Sequence, residues 1–351
     1  MSSLKTCHFL LPGDWNTPTG GYAYDRRLAA ALREVDWSVM PLVLDGAWPC
    51  PDQFDLITAE ALVQALPDNA LVVADGLAFG CMPDVALRHA RRLRWVALVH
   101  HPLHLETGWR SEDSARLRES EARALQCARR VVVTSRSTVA DVTALGVSSS
   151  RITVVEPGTD PVPSRSETPR RNGVVRLLCV ASLIPRKGHA VLLEALTGLQ
   201  HLPWELHLVG NTERDPGFTA SLQAMAEPLK ERVVWHGELP PEALQAHYLA
   251  ADVFVLPSLY EGYGMVVAEA VAHGLPVVTT DGGALARTLP PRAGLKVPAG
   301  DVLKLQAALG RVLTDPALHE RLATGAREAA ALLPTWPQQA ARFAATLGSV
   351  A

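Results

Sequence analysis

A chain of 351 residues, 48% apolar and with a formal net charge of −3, has room for two α/β domains with large cores and gives no general argument for a nucleic-acid partner. Its five cysteines, Cys7, Cys50, Cys81, Cys127 and Cys179, are far apart and without metal-ligand spacing, which fits reduced core thiols in a cytoplasmic protein. The N-terminal MSSLKTCHFLLPGDW carries no signal-peptide cleavage pattern, and no window reaches the ~20 apolar residues of a membrane span.

In chain order, His8 to Leu11 predicts a strand, Pro12 to Gly21 a Gly/Pro-rich loop, and Tyr22 to Glu34 a helix. Strand, Gly-rich loop and helix form the first unit of a doubly wound sheet. The dinucleotide fingerprint G-x-G-x-x-G is absent, which argues against a nicotinamide enzyme. Strands follow at Val39–Leu44, Leu71–Gly76 and Trp95–Val99, and the last runs into His100-His101-Pro102-Leu103-His104-Leu105-Glu106. Ligands of open α/β sheets bind at the carboxyl ends of strands, so a histidine there can hydrogen-bond a ligand hydroxyl or handle a proton. His100 and His101 point opposite ways on an extended chain, so either could face the ligand, and the two cannot readily share a metal ion. Arg88, Arg91, Arg92 and Arg94 are expected on one helix before that strand, as a solvated face or as a contact for an acceptor or a membrane surface. A charged helix over Ser111–Arg129, a strand over Arg130–Ser135 and a helix to about Leu145 follow.

Pro161 to Gly173, rich in proline and charge and without apolar period, reads as a domain boundary. Val174–Val180 then starts a second parallel sheet. It ends in Ala181-Ser182-Leu183-Ile184-Pro185-Arg186-Lys187-Gly188, ahead of a helix from His189 to about Gly198. Arg186 and Lys187 at a strand end could neutralise a diphosphate. Strands at Glu205–Asn211 and Val233–Leu239 and a short helix from Pro241 to Tyr248 lead to a buried strand, Val253–Leu256. Pro257 stops that strand, Gly262 and Gly264 permit a tight loop, and Met265–His273 favours helix until Gly274 and Pro276 end it. A helix start after a glycine loop is an anion site, and Glu261 and Glu269 flank it. Carboxylates repel phosphate, but they accept hydrogen bonds from hydroxyls next to it, as in a ribose or a hexose. An ordinary strand–loop–helix with Glu269 on a solvated face would share this composition.

The string Glu261-Gly262-Tyr263-Gly264-Met265-Val266-Val267-Ala268-Glu269, set between a strand and His273-Gly274-Leu275-Pro276-Val277-Val278, resembles the E-x7-E element of the family 4 glycosyltransferases. These are retaining sugar-nucleotide enzymes with the GT-B fold. Lys187-Gly188 is similar to the end of the family's G-R-x-x-x-x-K-G element, but the family arginine falls on Ser182, so either Arg186 supplies the second positive charge or the site works with one. Gly294-Leu295-Lys296-Val297-Pro298-Ala299-Gly300-Asp301 resembles the G-L-L-V-x-x-G-D loop. Two departures stand out: Glu156-Pro157-Gly158-Thr159-Asp160 replaces P-N-G-V-D, and the acid usual near Ala286 is missing.

The resemblance implies a GT-B α/β architecture of two doubly wound Rossmann-like domains facing across a cleft. The expected divisions are 1–164 on the acceptor side, a linker at 165–173, 174–334 on the donor side, and a C-terminal helix, 335–351, packing back on the first domain. It implies retaining transfer of a hexose-type sugar from a nucleotide diphosphate sugar, a UDP-sugar among the candidates with GDP and ADP. The family is thought to react on the front face, with the leaving phosphate taking the acceptor's proton. Glu261, His100 and Lys187 are the expected catalytic residues. Arg186, Ser182, Gly210, His236, Gly262, Tyr263, Gly264, Met265 and Glu269 are expected at the donor, and Gly20, Gly21, His101 and Glu106 on the acceptor side. No cofactor and no metal are expected, since no D-x-D occurs and the cations and helix can do a metal's electrostatic work. The acceptor, whether saccharide, lipid-linked or a small molecule, and the oligomeric state are open. The expected location is cytoplasmic, with possible peripheral contact at the inner face of a membrane. An epimerase on the same architecture, or a nucleotide-sugar or glycan-binding protein without turnover, would share most of these features.

Overall fold

The computed structural model describes residues 5–106, 108–162 and 173–350. They belong to two compact units: Met1–Gly158 together with Pro334–Ala351, and Thr159–Leu333. The chain leaves the first unit at Gly158, ahead of residue 164, and the linker expected at 165–173 lies outside the described residues apart from Gly173. Among the described residues, no helix is long and apolar enough to cross a membrane.

The first unit runs β1 (Lys5–Pro12), α1 (Gly20–Arg33), β2 (Trp37–Leu44), α2 (Gln53–Gln64), β3 (Leu71–Asp75), α3 (Gly76–Phe79), α4 (Pro83–His89), β4 (Arg94–Val99), α5 (Ser111–Cys127), β5 (Arg130–Val133), α6 (Arg136–Ala144) and β6 (Ile152–Val154). Its strands are all parallel in the order β2-β1-β3-β4-β5-β6. The second runs β7 (Val175–Val180), α7 (His189–Thr197), β8 (Trp204–Val209), α8 (Pro216–Ala226), β9 (Val233–Trp235), α9 (Pro241–Ala250), β10 (Val253–Leu256), α10 (Met265–Ala272), β11 (Val277–Thr280), α11 (Leu285–Thr288), β12 (Gly294–Val297), α12 (Val302–Thr314) and α13 (Pro316–Ala330). Its sheet is also parallel, in the order β12-β11-β10-β7-β8-β9. Strands such as Leu71–Asp75 and Val253–Leu256 are buried at every position, because helices cover both faces of each sheet.

Both sheets wind outward from their first strand in two directions. The direction changes between β1 and β3 in the first unit and between β7 and β10 in the second. Such switch points open a crevice at the carboxyl ends of the strands, where ligands of this architecture bind.

The last helix, α14 (Trp336–Gly348), belongs to the first unit and begins with a capping box between Thr335 and Gln338. Its Trp336 ring meets the buried Tyr24 ring edge-on at 5.7 Å, and the Tyr24 hydroxyl donates to Val155 O at 2.9 Å. Gly158 has no room for a side chain: a Cβ would lie 2.3 Å from Trp336 N.

Two local expectations are corrected. Helix α1 starts at Gly20, because Thr19 Oγ1 accepts from Tyr22 N at 3.3 Å, so Gly20 and Gly21 form its first turn instead of a loop. The arginine run does not share one helix. Arg88 lies in the last turn of α4 and pairs with Glu60 at 2.7 Å, Arg94 opens β4, and Arg92 lies between them. The Arg92 guanidinium donates to Leu66 O at 2.6 Å and Val63 O at 2.7 Å, tying down the end of α2.

Candidate active site

In the second unit, the loops that follow β7 and β10 meet at the switch point. Leu259 N donates to Arg186 O at 2.8 Å. Gly188 sits at φ 69°, and a Cβ there would lie 2.1 Å from Pro257 O, so only glycine lets the two loops touch. Helix α7 begins after Gly188 and α10 after Gly264, itself at φ 86°. Neither helix has a side-chain cap, which leaves first-turn N–H groups and the positive dipole end for an anion.

Glu261, buried at 6% exposure, is the hub. Its Oε1 accepts from Lys187 Nζ and from Ser258 Oγ, both at 2.6 Å, and Arg186 Nη1 lies 3.4 Å from Oε2. Arg186 Nη1 also donates to Tyr260 O at 2.8 Å. Burial would raise the Glu261 carboxyl, but Lys187, Arg186 and the Ser258 hydroxyl outweigh it and hold the group below its ordinary value. Glu261 thus gathers two cations beside the two helix starts, where an anion can be received.

Glu269, further along α10, accepts from the Tyr248 hydroxyl at 2.8 Å through Oε2. Burial raises its pKa, with a small addition from Asp160 and an opposing hydrogen bond from Tyr248. Tyr248 is held in turn by stacking on His273 at 4.7 Å. Ser182 and Gly210 adjoin through their backbones: a Cβ on Gly210 would lie 3.0 Å from Ser182 N. Gly262, Tyr263 and Met265 line the turn into α10, where Tyr263 O accepts from Thr288 Oγ1 at 2.6 Å. His236 follows β9. Its Nε2 lies 2.8 Å from His207 Nδ1, and the two rings stack.

In the first unit, His100 follows β4 and turns toward the β1/β3 switch point. Its Nε2 lies 3.1 Å from Asp25 Oδ1 and 3.7 Å from Asp75 Oδ2. Burial pulls the imidazole pKa down, but the two carboxylates prevail and push it up to about 9. Asp75 is raised, first by burial and then by Asp25. Gly21 passes against the His100 ring, with Cβ room only to 3.4 Å, while Gly20 beside it faces open space. His101 points elsewhere, with Nε2 at 3.2 Å from Glu106 Oε2, and His104 faces the buried Glu121 at 3.6 Å. The adjacent histidines therefore diverge, and His100 is the one at the switch point.

Residues 175–315 match the model for glycosyl transferases group 1, and residues 45–162 that for Glycosyltransferase Family 4. The chain belongs to the family 4 glycosyltransferases. This family 4 chain is 35% identical over 219 residues to a D-inositol 3-phosphate glycosyltransferase of Xylanimonas cellulosilytica, covering 57% of this chain and 52% of the relative. It is 34% identical over 183 residues, 49% of this chain and 47% of the relative, to a GDP-mannose-dependent alpha-(1-6)-phosphatidylinositol monomannoside mannosyltransferase of Mycolicibacterium smegmatis. The chain thus spans about half the length of these relatives. Its fold matches a sucrose-phosphate synthase from Thermosynechococcus elongatus with a TM-score of 0.80 at 22% identity, over 98% of both chains. The architecture is GT-B.

Several partners in this family 4 chain escaped sequence reasoning: Ser258, Tyr248, Asp25 and Asp75. Asp25 left a signal, since it shares the buried face of α1 with Leu28, Ala29 and Leu32, where an unpaired charge does not belong. Asp75 left one too, as an acid at the end of a buried strand. Tyr248 left none, because its bond to Glu269 spans 21 positions. Among the described residues, Asp25, Asp75 and His100 form one set that could hold a metal ion, and His207, His236 and His247 form another.

Proposed function

We propose that this chain moves a hexose-type sugar from a nucleotide diphosphate sugar to an acceptor, with retention of anomeric configuration and no metal at the diphosphate. The observation that carries this reading is the Glu261–Lys187–Arg186 cluster beside two uncapped helix starts. Lys187, Arg186 and the amides of the α10 start hold the diphosphate. As the bond from the sugar C1 to phosphate breaks, its electron pair passes to the phosphate oxygen, and these same groups stabilise the charge that develops there. The acceptor oxygen bonds to C1 on the same face, and its proton goes to the leaving phosphate. Glu261 holds hydroxyls of the transferred sugar, Glu269 those of the ribose, and His100 assists at the sugar.

A thermal-shift screen of UDP-, GDP- and ADP-sugars tests the reading. The mannosyltransferase relative is named for GDP-mannose, so GDP-sugars belong in the screen beside UDP-sugars. One nucleotide class is expected to raise the melting temperature, since a ligand at 100 times its Kd adds about 2.7 kcal/mol to the native state. Transfer in a broad acceptor screen is expected to persist in EDTA. No shift with any nucleotide sugar, together with no donor turnover, overturns the proposal.

Lys187→Ala should weaken nucleoside diphosphate binding roughly 10- to 100-fold, the scale of one charge-assisted hydrogen bond. Unchanged affinity in calorimetry would remove Lys187 from the diphosphate site.

A further inference from the structure

Three histidines converge at one edge of the second unit, and His236 is among those expected near the donor. His207 comes from β8, His236 from the residue after β9, and His247 from α9. One ring nitrogen from each lies within 4.8 Å of the others, and His207 Nδ1 and His236 Nε2 are 2.8 Å apart. The His247 ring centre is 4.2 Å from that of His236 and 5.8 Å from that of His207. We propose that His207, His236 and His247 form a binding site for a borderline divalent transition ion, zinc in the first instance.

The ligand set is three imidazoles, which suits zinc, nickel, cobalt and copper better than magnesium or calcium. Nitrogen atoms bound to zinc lie about 2.0–2.1 Å from the ion, so in a tetrahedral set they sit roughly 3.3 Å apart. The His207–His236 pair, now at 2.8 Å, would have to open and both rings turn toward a common centre for an ion to enter. A carboxylate lies beside the far nitrogen of His207. His207 Nε2 lies 3.2 Å from Glu205 Oε1, and Arg176 Nε holds that same oxygen at 2.6 Å across the β7–β8 pair. A carboxylate on the far nitrogen of a ligand imidazole fixes its tautomer and raises its basicity. His236 and His247 are only half-buried, which leaves an entry path.

An ion here would pin α9 to the β8–β9 edge. The next residue of that helix is Tyr248, whose hydroxyl holds Glu269. The ion's effect on the donor side would therefore be positional, separate from the diphosphate.

The test is a titration of the untagged, chelator-treated full chain with Co²⁺, followed by Zn²⁺. The expected result is one equivalent of Co²⁺ giving the visible d–d absorption of a four- or five-coordinate nitrogen site, displaced by one equivalent of Zn²⁺ with micromolar or tighter affinity. His247→Gln and, separately, His236→Gln should each weaken binding at least tenfold, with the far-UV circular dichroism unchanged. His100→Gln should leave it intact, which separates this site from the Asp25–Asp75–His100 set. Binding only at millimolar metal, or affinity undiminished in His247→Gln, overturns the proposal. The readout is metal binding, so it stands or falls independently of sugar transfer.

Discussion

Glu261→Gln is expected to lower the kcat of transfer by on the order of 10²–10³-fold, the range seen when one preorganised group at a reacting centre is lost. Nucleoside diphosphate affinity should hold or tighten. The carboxylate neutralises part of the charge on Lys187 and Arg186, so its removal leaves more of that charge to act on the diphosphate. The same change costs stability in the unliganded protein. Taking one partner from a buried ion pair typically costs about 3–5 kcal/mol, and here two cations remain in place facing an amide. Bound nucleotide replaces the missing anion, so the variant's melting temperature should rise more on UDP or GDP addition than that of the parent. These three readouts separate a reaction role from a purely structural one. A structural carboxylate predicts weaker nucleotide binding and turnover that recovers once the protein is saturated. Near-normal transfer by the variant would take Glu261 out of the site.

Local punctuation explains what was legible in the sequence. From Val253 to Thr280, strand, glycine loop, helix and strand were read nearly to their ends, because Pro257, Gly264, Gly274 and Pro276 mark them. The Lys187–Glu261 contact was also within reach, since parallel strands that start a sheet and flank its switch point bring their loops together. The Arg88–Arg94 run misled because charge alternation looks the same on a helix and across a helix–turn–strand junction, while the bonds from Arg92 to the end of α2 are tertiary. The same limit hid the histidine trio. His207, His236 and His247 have no ligand-like spacing, and their meeting depends on α9 folding over β8 and β9. Asp25 was legible in principle, as a carboxylate in phase with an apolar helix face, but its meaning required knowing that β3 and β4 end beside α1.

Asp25→Asn should flatten the alkaline side of the stability profile and move the pH dependence of transfer. In the parent, His100 titrates at about 9 when folded, against an ordinary value of 6.5. The folded state therefore binds the proton more tightly than the unfolded chain. Stability from this group is complete below about pH 6.5 and is lost as pH rises through 9. At 1.36 kcal/mol per pKa unit, the loss amounts to roughly 3 kcal/mol for this mostly buried ring. Asp75, also raised, acts with the same sign at lower pH, whereas Glu261, lowered, gains stability as pH rises past the carboxylate range. Asp75, raised to about 7, titrates in the lower part of the interval from 6.5 to 9, so the upper part, nearer 9, is what reports His100 among these three. Asparagine keeps the shape of Asp25 and an acceptor oxygen at 3.1 Å, but it removes the nearer of the two charges that hold the proton. The His100 Cε1 resonance in NMR should then titrate closer to 6.5, and the fall in melting temperature between pH 6.5 and 9 should shrink. If the imidazolium is the form that grips the sugar, the alkaline limb of kcat/KM should shift from about 9 toward neutrality in step with that resonance. A shifted resonance with an unmoved limb would leave His100 as a stabilising cation only, and an unmoved resonance would show that Asp25 does not hold the proton.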